Sequence, residues 1–201
     1  MDVKDRYRLN DCFPVVGVIS RFTEWKGVQY IIPAFKKLLS TYPNAVLLLF
    51  GADGDYKKEI VELLEALPEK NFRQVSFEKD VAAAYHVMDI FVHVPIDNHS
   101  EAFGQTYVEA LAAGVPSVFT LSGIAPDFVV DQKNALVVPY KNSEAIYQAM
   151  LKILQEKTLQ EGLRIEGYKA VNDKYDLGRM IRELELLYES WSFLFYHRSL
   201  L

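Results

Sequence analysis

Cysteine is nearly absent from this chain. Cys12 is the only one in 201 residues, so no intrachain disulfide can form and no thiolate zinc cluster can be drawn, and a reducing, cytoplasmic setting is expected. Long apolar runs are missing too. Nothing approaches the roughly 18 consecutive apolar residues of a membrane-spanning helix, and the opening MDVKDRYRLND is charged where a signal peptide would be apolar. A soluble chain is expected. There is no excess of positive charge: 22 Lys and Arg against 27 Asp and Glu give a formal net charge of -5. That balance argues against nucleic acid as a partner and leaves any anion to a local group of cations.

The common cofactor signatures are also lacking. No G-x-G-x-x-G follows the first apolar run and no G-x-x-x-x-G-K-[ST] occurs, which removes the ordinary dinucleotide-binding and phosphate-loop readings. The four histidines, His86, His93, His99 and His197, show no H-x-x-x-H spacing, and no protein-built metal site is expected. Ser100 and Ser122 have no G-x-S-x-G context, so a hydrolase triad is not expected either. His93 lies in an apolar strand, where a packed or hydrogen-bonded core role is the expectation.

What is present is an alternation. Short apolar runs read as strands at Pro14–Ser20, Ala45–Phe50, Phe72–Phe77, Ile90–Val94, Ser117–Thr120 and Ala135–Val138. Several are apolar on both faces, as a strand buried between two helical layers must be. Segments of helical period separate them at Val28–Thr41, Tyr56–Ala66, Val81–Val87, Gln105–Ala113 and Ser143–Glu156. The pattern predicts an α/β fold, a Rossmann-like doubly wound parallel sheet with C-terminal helices. Residues 1–13 read as an N-terminal linker, 14–175 as the sheet domain and 176–201 as a C-terminal helix. Along that helix Ile181, Leu184, Tyr188, Trp191 and Phe195 recur every three or four residues. Such an apolar stripe needs a cover, either its own domain or a further surface that the helix docks on.

In a sheet of this kind ligands sit beyond the carboxyl ends of the strands. The unusual residues fall in the loops that gather there. SRFTEWKG places Arg21 at the end of the first strand and Lys26 just before a helix that opens at Gly27. A forked guanidinium and a mobile ammonium at one strand-to-helix turn suit a diphosphate; ordinary surface charges, one of them paired with Glu24, are the plain alternative. Gly51 and Gly54 follow the second strand and let a ligand approach the backbone. In SEAFGQTYVEALAAGVP, Glu101 precedes a helix that starts near Gln105, and Glu109 lies about one turn inside it. At about 1.5 Å per helical residue, eight residues put the two acids roughly 12 Å apart, a distance that the loop before the helix loosens. A helix N-terminus attracts anions, whereas carboxylates grasp hydroxyls. The acids are therefore expected at the two ends of a ligand whose charged middle meets Arg21, Lys26 and the helix end.

VVGVISRFTEWKG, FGADGDY, YHVMDIFVHVP and EAFGQTYVEALAAGVP, in this order and spacing, resemble the C-terminal, donor-binding half of retaining glycosyltransferases of family 4, which have the GT-B fold. The likeness covers about Pro14 to Glu156. It implies a UDP- or GDP-linked sugar as donor, no metal, and Arg21 and Lys26 on the donor diphosphate. It further implies Glu101 on the sugar, counted with Arg21 and Lys26 as catalytic, and Glu109 on the ribose. Backbone around Phe103, Gly104, Gln105 and Thr106 is implied to meet sugar and phosphates, and the turn from Val75 to Phe77 to meet the base, beside Gly51. Ser20 stands where many relatives have Gly.

The family carries an acceptor-binding N-terminal domain that these residues do not include. The resemblance therefore implies a cytoplasmic enzyme of cell-surface polysaccharide or glycolipid synthesis, working at the inner face of the membrane on a glycan or lipid-linked acceptor. This chain is expected to be weak or inactive alone. A binding module without activity, and an epimerase or glycan phosphorylase on the same fold, are the alternatives.

Overall fold

A computed structural model describes residues 3–172 and 174–198, with side chains as far as residue 189. In chain order the elements are α1 (Val3–Arg6), β1 (Val15–Ile19), α2 (Val28–Leu38), β2 (Val46–Phe50), α3 (Lys57–Leu64), β3 (Phe72–Val75) and α4 (Val81–His86). They continue with β4 (Ile90–His93), α5 (Gln105–Ala112), β5 (Ser117–Phe119), β6 (Leu136–Val137), α6 (Ser143–Gln155), α7 (Lys157–Asn172) and α8 (Leu177–Arg198).

The strands form one six-stranded sheet in the order β3-β2-β1-β4-β5-β6, every pair parallel. β1 is its pivot. It pairs with β2 from Val15↔Val46 to Ile19↔Phe50 and with β4 through Val16↔Ile90 and Gly17↔Phe91. The chain works outward from β1 to one edge, then starts again at β4 on the other side. Between β1 and β4 the order reverses, and the ligand crevice of such a sheet lies beyond the carboxyl ends of these two strands.

Apolar strands are needed because both faces are covered. Val16, Val18, Leu47 and Leu49 pack with Ile31 and Phe35 of α2 and with Ile146 and Met150 of α6. Their neighbours Val15, Val46, Leu48 and Phe50 pack on the opposite face with Tyr85 of α4 and with Tyr107 and Leu111 of α5. Successive strand residues point to opposite sides, so an unbroken apolar run feeds both layers. Burying each such side chain is worth about 1.5–3 kcal/mol. Two helices open on side-chain caps: Asp80 accepts the Ala83 N–H at 3.0 Å and Asn142 accepts the Ala145 N–H at 2.9 Å.

Every expected strand and helix is found, most of them shorter at the ends. β6 holds only two residues at the edge of the sheet, and the Asp131 carboxylate takes the Val137 N–H at 2.8 Å. β3 stops at Val75 instead of Phe77; it is a partly exposed edge strand. α2 ends at Leu38 rather than Thr41, and the Ser40 hydroxyl donates to the Lys37 carbonyl at 2.7 Å.

The segment expected as a linker is docked on the sheet. Val3 and Leu9 are buried, the Tyr7 ring meets Phe50 edge-on at 5.4 Å, and Arg73 Nε donates to the Tyr7 carbonyl at 3.1 Å. The Tyr7 hydroxyl and Arg6 both reach Oε2 of Glu78. The Tyr7 hydroxyl, then the Asp80 N–H and Arg6, hold that carboxyl down to about 2.

α7 lies against α5, so closely that a Cβ on Gly167 would come within 2.9 Å of Leu111. Between α7 and α8, Tyr175 packs edge-on against Phe128 at 5.6 Å and Phe103 at 6.2 Å. On α8, Met180, Ile181, Leu184 and Tyr188 are exposed, as the expected stripe requires; the side chains of Trp191 and Phe195 lie outside the described residues. No helix among the described residues is long and apolar enough to cross a membrane.

Candidate functional site

The loop after β1 forms a short 3-10 turn, Glu24–Lys26, that runs into α2 through Gly27. Gly27 has a φ of 75°, and a Cβ there would lie 1.9 Å from the Val94 carbonyl oxygen. Only glycine allows this turn to lie against the loop after β4. The two loops are stitched by the Ile96 N–H, which donates to the Trp25 carbonyl at 3.1 Å. Lys26 is thereby aimed across the switch point. Its ammonium sits 4.3 Å from the centre of the Trp25 ring and 2.5 Å from Oε1 of Glu101.

Glu101 is held from three sides. Its own N–H donates to the Ser122 hydroxyl at 3.0 Å, and Oε1 meets both Lys26 and, at 2.9 Å, Nε2 of His93. Oε2 has no partner among the described residues. The side chain is only 7% exposed. Burial alone would push the Glu101 carboxyl up, but the bonds and charges of His93 and Lys26 outweigh it, and the group stays below the ordinary carboxylate range. Burial pushes the His93 imidazole down by more than Glu101 raises it, which favours the neutral ring. Its single proton lies on Nε2, because the carboxylate can only accept.

That leaves Nδ1 of His93 buried with no hydrogen-bond partner. An orphaned buried acceptor costs about 1–3 kcal/mol. The Ser20 and Thr23 hydroxyls, on either side of Arg21, are likewise buried and unpartnered.

α5 begins beside this group. Its N-cap is Gly104, and no side chain caps it, so its first N–H groups lack intrahelical acceptors and face the crevice as a positive end. Glu109, one turn in, receives Gln105 Nε2 at 2.7 Å and the Tyr85 hydroxyl at 3.0 Å. Burial, then the Glu109 charge, drives the Tyr85 hydroxyl far up, which makes it a fixed donor. The loop after β5 completes the wall. A Cβ on Gly123 would lie 2.7 Å from the Phe103 carbonyl and 2.9 Å from Cβ of Glu101, so this loop presses directly on the Glu101 segment.

Arg21 is exposed and makes no ion pair among the described residues. Its backbone adjoins Gly51, whose Cβ position lies 3.5 Å from the Arg21 nitrogen. Val75 accepts the Ala52 N–H at 3.2 Å, tying the third loop to the second. Phe77, beyond it, is 76% exposed. Phe103 is half-exposed beside Gly104, and Thr106 partly buried.

The structure thus joins Lys26 directly to Glu101, where the sequence suggested a cation and an acid kept apart. It leaves Arg21 and Glu109 as separate groups, and the Val75–Phe77 turn lies across β2 from β1. Sequence reasoning missed Trp25, Tyr85, Ser122 and Gly123 as supports, and did not connect His93 to Glu101. For Trp25, Ser122 and Gly123 the unusual loops that carry them were the only signal, and Tyr85 of α4 gave none. A hollow of about 370 Å³ near Met88, Asp89 and Pro116 opens at the other end of the sheet, ahead of β4 and β5. One of about 340 Å³ between α4 and α5 reaches Glu109.

Residues 2–170 match the family described as glycosyl transferases group 1. The chain belongs to this family. It is 28% identical over 184 residues to the capsular polysaccharide biosynthesis glycosyltransferase CapM of Staphylococcus aureus, covering 91% of this chain and 47% of CapM. The chain therefore spans about half the length of that curated relative.

The fold is that of one Rossmann-like half of GT-B glycosyltransferases. HepE of Anabaena, solved in complex with UDP and glucose, superposes with a TM-score of 0.83 at 20% identity over 94% of this chain and 51% of HepE. The C-terminal domain of LpcC, a glycosyl transferase group 1 protein of Francisella tularensis, superposes with a TM-score of 0.73 at 24% identity. That match covers 87% of this chain and 93% of the LpcC domain.

Proposed function

We propose that this group 1 glycosyltransferase chain binds a nucleotide-diphosphate sugar at the carboxyl ends of β1, β4 and β5 and supports transfer of the sugar to an acceptor hydroxyl. The reaction is a family 4 transfer with retention at the anomeric carbon, in cytoplasmic synthesis of a cell-surface polysaccharide. One observation carries this reading: Lys26 and His93 converge on one oxygen of Glu101 at the switch point of the sheet, beside the uncapped end of α5.

Arg21, Lys26 and the first N–H groups of α5 meet the diphosphate. Glu101 receives a sugar hydroxyl and Glu109 the ribose. Gly51 and the Val75–Phe77 turn border the base, and backbone from Phe103 to Thr106 borders the sugar and phosphates. As the glycosidic bond breaks, negative charge builds on the diphosphate, and cations already fixed there favour the transition state over the ground state. A hydrogen bond to a charged group is worth about 1.5–3 kcal/mol net, or roughly tenfold to a hundredfold in affinity.

The acceptor, a glycan or lipid-linked glycan, is held by a further domain, for which the greater length of the relatives leaves room. Residues 14–175 act as the donor domain, and the α8 region from 176 onward returns to that second domain or pairs with another copy.

Titration calorimetry with UDP, UDP-glucose, GDP and GDP-mannose tests the site. Lys26→Ala and Glu109→Ala are each expected to weaken binding at least about fivefold; unchanged affinity in both would overturn the assignment. The chain alone is expected to bind donor yet transfer feebly, because acceptor alignment and exclusion of water need the other domain. Rapid turnover with a simple acceptor would refute that.

A further inference from the structure

His93 is the last residue of an otherwise apolar strand, Ile90–His93, and it is 1% exposed. A core position of that kind is ordinarily filled by an aliphatic side chain, which leaves no polar atom without a partner. Here the ring is fixed by aromatic neighbours. It stacks on Phe91 with centroids 6.3 Å apart and planes 14° apart, and Tyr107 meets it edge-on at 4.7 Å. The Tyr107 wall is anchored in turn, its hydroxyl donating to the Thr120 carbonyl at 2.8 Å. With the ring held, one nitrogen is left unpartnered and the other is spent on a single contact, 2.9 Å from Oε1 of Glu101. The same oxygen accepts from Lys26. Two donors on one oxygen fix the rotation of the carboxylate, and the other oxygen has no partner among the described residues.

We propose that His93 is a positioning residue for donor-sugar recognition: with Lys26 it immobilises Oε1 of Glu101 so that Oε2 is the oxygen offered to a sugar hydroxyl. The inference rests on the reading of Glu101 as the sugar contact. The charged and titratable groups facing the ring are Glu101 from the loop before α5, Lys26 from the turn before α2, and Tyr107 from α5. Lys26 alone could hold the oxygen from one side, but an ammonium on a flexible stem does not fix a plane. A core histidine with only a packing role would have no cause to aim its one donor at the crevice.

His93→Leu removes the donor at similar volume, and His93→Gln keeps an N–H at about the reach of Nε2. Calorimetry compares UDP with UDP-glucose, and GDP with GDP-mannose. In His93→Leu the nucleotide diphosphate is expected to bind within about twofold of wild type, while the added affinity for the sugar falls about tenfold. His93→Gln restores most of it. Equal weakening of diphosphate and nucleotide sugar, or no change in either, would overturn the proposal. A Glu101→Ala chain that still distinguishes sugar from diphosphate would instead sink the sugar-contact reading of Glu101.

Nitrogen-15 NMR of the wild-type imidazole decides the geometry without any ligand or variant. A neutral ring protonated at Nε2, with a slowly exchanging proton, supports the positioning role. A ring protonated at Nδ1, or one exchanging freely with water, refutes it.

Discussion

Replacing Lys26 by Met removes an ammonium from a nearly buried pair while keeping the length of the side chain. The two partners are 15% and 7% exposed and 2.5 Å apart. With the carboxylate charge spread over both oxygens, a separation of about 3.5–4 Å at an effective dielectric near 20 gives a gross attraction of about 4–5 kcal/mol. Desolvation of both groups offsets much of this, which leaves a net coupling of about 1–3 kcal/mol. The single variant also loses the contact of the ammonium with the Trp25 ring, worth about 0.5–1 kcal/mol at an exposed site and more when desolvated. A double-mutant cycle separates the two effects. Lys26→Met is expected to destabilise the fold in urea at pH 7, Glu101→Gln less so, because Gln still faces the His93 donor with its carbonyl. The double variant should be more stable than the sum of the singles implies, by that 1–3 kcal/mol. Losses that simply add, to within about 0.5 kcal/mol, would show that the pair carries no coupling and that the convergence on Glu101 is not what orders the site.

Two glycine substitutions should act in opposite directions. Gly27→Ala meets the Val94 carbonyl at 1.9 Å in a backbone conformation with φ of 75°, and a loss of more than about 2 kcal/mol is expected by chemical denaturation. Gly162→Ala, inside α7 with nothing within 4 Å of the new methyl, should raise stability by about 0.5–1 kcal/mol. Stability should also fall on acidification through Glu78. Its folded carboxyl is held at about 2, against 4.5 as the ordinary value, so its contribution is complete above about pH 5 and is lost as the pH drops toward 2. Glu78→Gln should flatten the stability profile of urea titrations across that range, and an unchanged slope would discount the Tyr7 and Arg6 contacts.

The sheet was legible because its strands meet two layers at once. Leu47, Leu48 and Leu49 are all fully buried, and so short an unbroken apolar run, bounded by turn residues, suits a strand covered on both faces. The helices at Val81–His86, Gln105–Ala112 and Ser143–Gln155 were legible from their apolar period. Strand ends were less legible, since β3 and β6 at the sheet edges stop short of their apolar runs.

The site was legible only as a set of loops. Lys26 and Glu101 are 75 positions apart, and their meeting depends on β1 and β4 being neighbours in the sheet, which no local spacing encodes. His93 read as core and is core; what the sequence could not convey is the direction of its one donor. The docking of residues 3–13 was hidden for a similar reason, since Val3, Tyr7 and Leu9 make too short an apolar pattern to announce a helix.

The family match ends at residue 170, yet Tyr175 touches the ring of Phe103, two positions from Glu101. A shortened chain that stops where the family pattern stops would keep every strand and lose the aromatic prop beneath the loop before α5. α8 starts two residues later, at Leu177, so the turn that carries Tyr175 sets that helix directly beside the loop before α5.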